Sequence, residues 1–359
     1  MAAKVPSASL LLVLVTGLAG GCAVVGMGSS VARPDWAQAQ WQTVVATANA
    51  GPGASLRGLT VVDRNVVWVG GSGGTLLRSL DGGQSWQDVA PPDGRRCDFR
   101  DVHAFDRDTA IAMVAGQPAR VYRTADGGRT WAIVHQDARP EAFFDAITFD
   151  GDTGFLFGDP MLGAFTVLRS DDRGEHWRVV DPTALPVPLG AEAAFAASGS
   201  CIDVTQGTVR IVTGGTVSRL LASRDHGASW TALPLPLRCG AASQGAFGLG
   251  VDGDELVVVG GDYAAPLANE GTVARSMDGG SSWHEQATGA GGFRSGVAAL
   301  GHGAWLAVGE RGCSLSTDHG RTWQSFGREG FHAIARGRDG SVFACGGGGR
   351  VARLVPSSP

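Results

Sequence analysis

The sequence predicts an all-β fold, a seven-bladed β-propeller of four-stranded antiparallel blades. Three observations predict it. One phrase recurs six times in 359 residues: Ser or Thr, a spacer, Asp, any residue, Gly, two more residues, Trp. Its tryptophans, Trp86, Trp131, Trp177, Trp230, Trp283 and Trp323, are spaced by 45, 46, 53, 53 and 40 residues, the period of a blade repeat. Between them lie short apolar or alternating runs broken by Gly, Asp, Asn and Ser, with 56 glycines in all, a strand-and-turn composition.

Each phrase reads as strand, turn, strand. Runs such as Thr75-Leu76-Leu77-Arg78 precede it, and runs such as Trp131-Ala132-Ile133-Val134 continue from its Trp. Asp-Gly-Gly between two such runs is a hairpin signal, because Gly supplies positive φ and the Asp side chain bonds local amides. Asp81, Asp126, Asp172, Asp225, Asp278 and Asp318 are therefore expected to be structural, each with its Trp opening an outer strand and burying about 150–250 Å². A catalytic or metal site is rarely copied into every blade. His226 and His319 fill the usual Gly slot and read as turn residues.

Six phrases still predict seven blades. Trp41 lies 45 residues before Trp86, and Trp41–Val45 reads as an outer strand without its hairpin. The C-terminal end supplies three strands lacking a fourth, and joining the two pieces closes the ring and removes the open edge. First strands are expected near Leu56, Arg100, Phe143, Glu192, Ala246, Phe293 and Phe331. Blade 4 is the least regular, so six or eight blades are the alternatives. Length alone suggests two domains; the repeat overrides that, giving one propeller domain over 41–359.

The N-terminus reads as an export signal, residues 1–21: a positive start at Lys4, an apolar core over 10–15 and small residues before Cys22, too short for a stable span. Cys22 makes it resemble a bacterial lipoprotein signal, with 22–40 a tether to the outer membrane on the periplasmic side. Ordinary cleavage after Ala37-Gln38-Ala39 is the alternative. Lys4 is the only lysine, which excludes Schiff-base chemistry and a Walker-type phosphate loop from the mature chain. Net charge is −5, which argues against nucleic acid. Five cysteines follow Cys22 with no zinc spacing, so no metal is expected; Cys313 and Cys345, on adjacent blades, are a candidate pair. The glycine clusters at 70–74 and 346–349 open no helix, so no dinucleotide site or other cofactor is expected.

Chain direction sorts the loops. The repeated phrases occupy one face, while the long loops 91–99, 181–191, 236–243 and 262–271 occupy the other, where binding concentrates. Aligning the first-strand starts brings Arg57, Arg100, Arg294 and His332 into one basic arc at the channel mouth, suited to a carboxylate or phosphate. The alternative is that each Arg ties down a neighbouring blade. The opposite arc carries Phe144, Asp145, Glu192 and Phe195, with Asp262 and Tyr263 on a second-to-third strand turn, as Asp159 is in blade 3. Tyr263 is a surface-recognition candidate.

The phrase resembles the Asp-box, or bacterial neuraminidase repeat, of sialidase-like and WD/YVTN-like propellers. With Asp98-Phe99-Arg100-Asp101-Val102-His103, Gly158-Asp159-Pro160, Glu192 through Gly199 and Gly260-Gly261-Asp262-Tyr263, the chain resembles the photosystem II assembly-factor-like family, in its bacterial non-photosynthetic branch. That resemblance implies a monomeric, non-enzymatic scaffold that binds a protein partner or an anionic ligand through an arginine patch, with Arg57, Arg100 and Arg294 in that part. The competing reading is a sialidase-like glycoside hydrolase, which holds a carboxylate with three arginines and uses a Tyr nucleophile. The chain departs from it: the Phe-Arg-Ile-Pro phrase is missing, seven blades replace the usual six, and Tyr122 and Tyr263 are expected away from the arginines.

Overall fold

The computed structural model describes residues 34–44, 53–286 and 289–357. Seven four-stranded antiparallel sheets form the ring, each running from a channel strand outward to an edge strand. Blade 1 comprises Leu56–Val61, Val67–Gly71, Thr75–Ser79 and Gln87–Asp88. Its two middle strands are buried along their whole length and the outermost is exposed. That explains why middle strands read as continuous apolar runs: both of their faces pack against neighbouring blades.

The last blade takes three strands from the C-terminal end and its fourth from Asp35–Thr43. Trp41 pairs with Leu354 and Thr43 with Ala352, and the Trp41 ring lies 4.8 Å from Phe331. The strand begins before Trp41, so 35–40 belong to the sheet and not to a tether. Val45, the signal residues and Cys22 lie outside the described residues.

The repeated phrase folds into one recurring network. In blade 1, the Ser79 hydroxyl donates to Asp81 Oδ1 at 2.9 Å and accepts from the Gly83 amide at 2.8 Å. Asp81 then accepts from the Ser85 amide at 2.8 Å, and Trp86 Nε1 donates to the Gly83 carbonyl at 3.1 Å. Asp126, Asp172, Asp225, Asp278 and Asp318 repeat the pattern. Trp177, Trp230, Trp283 and Trp323 bond the Gly of their own turn, whereas Trp131 reaches Val89 O instead. Arg173, His226 and His319 have φ of 57°, 57° and 63°, the left-handed conformation the Gly slot demands. The six aspartates are the frame.

Blade 4 departs from expectation. Its channel strand is Ile202–Thr205, not a strand near Glu192. Asp159 also lies within a strand, Thr153–Met161, rather than on a turn. All five described cysteines are free thiols. Cys313 and Cys345 sit in separate apolar clusters, where burial pushes both thiols up to about 12. Among the described residues, no helix is long and apolar enough to cross a membrane.

Candidate functional site

A β-bulge near the start of the channel strand sets the site. In blade 1, Leu56 pairs with Gly71 and Gly58 with Gly70, leaving Arg57 as the extra residue. The same shift makes Arg100 the extra residue in blade 2, Asp145 in blade 3 and Phe247 in blade 5. A bulge re-aims one side chain without breaking the strand. An inter-blade hydrogen bond fixes the equivalence. The amides of Leu56, Phe144, Ala246, Arg294 and Phe331 each donate to a carbonyl of the preceding blade. The residue after each is thus repeat-equivalent: Arg57, Asp145, Phe247, Ser295 and His332.

Segment 192–201, which precedes the blade 4 channel strand, crosses the channel as a plug. Arg57 of blade 1 donates to Ala197 O at 3.3 Å, and Arg100 of blade 2 to Ala196 O at 2.9 Å. Ser198 Oγ donates to Ser295 O of blade 6 at 2.7 Å. Gly199, at φ +71°, lies so close to Asp101 that a Cβ there would collide with its carboxylate. Above the plug, on the long-loop face, lies a pocket of about 350 Å³. Arg57, Arg100, His332 and Glu310 line one side; Phe143, Phe195, Phe247, Tyr263 and Phe293 line it with the plug's Ala194, Ala196 and Ala197. Phe195 stacks on Phe247 with centroids 3.7 Å apart, and Tyr263 stands edge-on to Phe247 at 6.2 Å. Beneath the plug, a second cavity opens toward the Asp-box face.

The polar side of the pocket is cationic at its core. Burial and the neighbouring Arg100 lower the Arg57 pKa, while Glu310 and Asp98 raise it. Arg100 is held by Asp98 at 2.6 Å. Burial, then Arg57 and Arg100, push His332 down to about 3, so it is neutral at pH 7 and its 3.7 Å approach to Glu310 is no ion pair there. Behind the plug, burial raises Asp101 to about 7 and Asp159 to about 6. Asp145 is driven well above the carboxylate range by burial and then by Asp159. Both of its oxygens are buried without a hydrogen-bond partner, as suits a protonated acid. The site can therefore grip an anion with two guanidiniums and cover an apolar group with an aromatic wall.

Residues 95–188 match the family model described as photosynthesis system II assembly factor YCF48. The photosystem II assembly protein Ycf48 of a Synechococcus strain is 30% identical over 217 residues, 57% of each chain. Over part of its length the chain is thus similar to the YCF48 family. The vacuolar protein sorting/targeting protein 10 of Aspergillus fumigatus is 30% identical over 115 residues. The match spans 57% of the length of Ycf48 and only 8% of that sorting protein. Solved structures of similar fold include YCF48 bound to D1 peptide (TM-score 0.61, 15% identity, 88% of this chain and 97% of that one). YCF48 from Cyanidioschyzon merolae is close behind (0.60, 14%, 88% and 98%). The GH74 xyloglucanase from Xanthomonas campestris is also similar (0.59, 18%, 88% and 53%). At these identities the likeness is one of fold.

Of the residues expected at the site of this propeller, Arg57, Arg100, His332, Phe195 and Tyr263 line one pocket. Arg294 does not join them. It is repeat-equivalent to Leu56, turns away, and donates to Ser314 Oγ at 2.8 Å and Phe293 O at 2.8 Å, with 4% of its surface exposed. Phe144 also points the other way, into a core cluster with Ile111 and Met113, and Phe143 takes its expected place. Asp145 is buried behind the wall. Glu192 is a buried tie, accepting from Arg219 at 2.6 Å and Thr213 at 2.6 Å. Asp262 caps its turn, accepting from the Ala264 amide at 2.9 Å. Tyr263 is closer to the arginines than its turn suggests: the turn folds inward and its ring shares their pocket. Phe247, Phe293, Ser295 and Glu310 were not among the expected site residues. For Phe247 and Ser295 the signal is a following glycine, as in Arg57-Gly58: Phe247-Gly248 and Ser295-Gly296.

Proposed function

We propose that this propeller is a non-enzymatic scaffold that binds a protein segment, or a smaller anionic ligand, in the long-loop-face pocket. The carrying observation is the convergence of Arg57 and Arg100 opposite the Phe195, Phe247, Phe293 and Tyr263 wall. Two guanidiniums suit a carboxylate, and the wall suits an apolar side chain beside it. A YCF48 of the same fold has been solved with a D1 peptide, which favours a peptide partner and an assembly-factor role, here in a bacterial non-photosynthetic setting. Export and lipidation at Cys22 complete the reading, placing the scaffold at the periplasmic side of the outer membrane. Cleavage after Ala39 instead would divide the ring-closing strand Asp35–Thr43, which favours processing upstream.

The test is capture by tagged full chain, comparing wild type, Arg57→Ala/Arg100→Ala and Arg294→Ala. Loss of a defined partner in the double variant, with retention by Arg294→Ala, supports the reading. Equal capture by all three removes it. A sialidase-like hydrolase is the second reading, favoured by Tyr263 sharing the arginine pocket and weakened by the turned-away Arg294. Release of a fluorogenic sialoside that Tyr263→Phe abolishes would support it.

A further inference from the structure

Among the described residues, nine large hydrophobic side chains are exposed, and five of them share the long-loop face. Leu162, at the blade 3 turn between second and third strands, is 98% exposed. Val187 and Leu189, on the loop from blade 3 to blade 4, are 69% and 46% exposed. Tyr263 and Leu267, on the blade 5 insertion, are 54% and 78% exposed. Blades 3, 4 and 5 are consecutive, so these residues form an arc on one side of the face. Arg57 and Arg100 come from blades 1 and 2, on the other side of the channel mouth. Exposed aliphatic side chains are ordinary when scattered. Gathered on the rim of a pocket, they are the mark of an interaction surface.

The arc is built rather than loose. Thr216 Oγ1 donates to Leu189 O at 2.9 Å and Arg219 to Val187 O at 2.9 Å, fixing the 181–191 loop to blade 4. The Phe293 amide donates to Pro266 O at 3.0 Å, fixing the insertion that carries Leu267 to blade 6. Tyr263 is continuous with the pocket, edge-on to both Phe195 and Phe247. Apolar arc, aromatic wall and paired guanidiniums therefore succeed one another across the face.

We propose that this arc is the docking surface for an extended apolar segment of a partner protein, whose carboxylate enters the Arg57 and Arg100 pocket. The proposal rests on the pocket's role as the binding site and adds the partner's chemistry. Charge complementarity sets the direction: the acid end lies toward blades 1 and 2, and the apolar run lies over blades 3 to 5. Anchors of this kind give affinity when aliphatic or aromatic groups leave water together.

Fluorescence anisotropy on the full chain tests it with two labelled decapeptides ending in a free carboxylate, one rich in leucine and one with serine at those positions. N-acetyl-phenylalanine, followed by calorimetry, reports on the pocket alone. Wild type is expected to bind the leucine peptide at least tenfold more tightly than the serine peptide. Leu162→Ser/Val187→Ser/Leu267→Ser should erase that advantage and leave N-acetyl-phenylalanine binding unchanged; all three side chains are largely exposed, so folding is preserved. An intact advantage in the triple variant overturns the arc and spares the pocket. Unchanged binding of both peptides and of N-acetyl-phenylalanine by Arg57→Gln/Arg100→Gln overturns the pocket and the proposal with it. A wild-type dimer in sedimentation that the triple variant disperses assigns the arc to a second copy and also overturns the proposal.

Discussion

Arg100 Nη1 donates to the carbonyl oxygen of Ala196 at 2.9 Å, so a guanidinium on the blade 2 channel strand holds the blade 4 segment that fills the channel. Arg57 makes the matching bond to Ala197. The two residues that face the pocket are thus also the pins of its floor. Replacing Arg100 by Ala should cost about 1.5–3 kcal/mol, the range for a hydrogen bond to a charged group. Amide hydrogen exchange at 194–199 should quicken while exchange in the outer blades stays as in wild type. Uniform quickening around the ring would count against a pinned plug.

The buried carboxyls give stability a pH dependence of definite sign. Asp101 is held at about 7 in the fold, above its ordinary unfolded value near 3.9. The fold favours the protonated form, so this contribution is fully present below about pH 4 and is lost as pH rises to about 7. His103, held at about 4 by burial, and His332 work oppositely, stabilising above about pH 6.5 and failing as acid charges them. Comparison with Asp101→Asn isolates the acid. The stability of wild type minus that of the variant should fall by up to about 4 kcal/mol between pH 4 and 7. A difference that stays constant across this range in urea unfolding contradicts the assignment.

Glu192 should behave as structure. Its carboxylate, 0% exposed, receives Arg219 at 2.6 Å. Glu192→Ala leaves a buried guanidinium without its partner and should destabilise by about 3–5 kcal/mol. Thermal unfolding reads this directly, and a variant as stable as wild type would make Glu192 a binding candidate again.

Ring closure depends on a strand from the opposite end of the chain. Without Asp35–Thr43, the strand Val351–Ser357 becomes an open edge. A chain truncated through residue 43 should melt earlier and associate as concentration rises, because a bare edge pairs with other chains. Sedimentation of the truncated chain as an unchanged, equally stable monomer would contradict this closure.

Much of the architecture was legible because each blade repeats the same hydrogen-bonded turn, and Trp41 kept phase with it. The paired guanidiniums were legible because there the bulge and the sequence string coincide. Arg57 and Arg100 are bulge residues, so reading them from their strings succeeded. Arg294 follows Phe293 as Arg100 follows Phe99, yet the inter-blade hydrogen bond shifts blade 6 by one residue, which sends the side chain to the opposite face. Phe144 failed for the same reason. The path of the plug had no local signal, since 192–201 has neither period nor turn phrase and owes its course to contacts with five other blades, through Arg57, Asp101, Asp159, Phe247 and Ser295.

Binding at the long-loop face through Arg57 and Arg100 is read out by calorimetric titration of wild type, Arg57→Gln/Arg100→Gln and Arg294→Gln with a peptide ending in phenylalanine and a free carboxylate. The double variant should weaken binding at least tenfold, amidating the peptide should weaken it similarly in wild type, and Arg294→Gln should change stability but not affinity. Equal affinity in wild type and the double variant would contradict it.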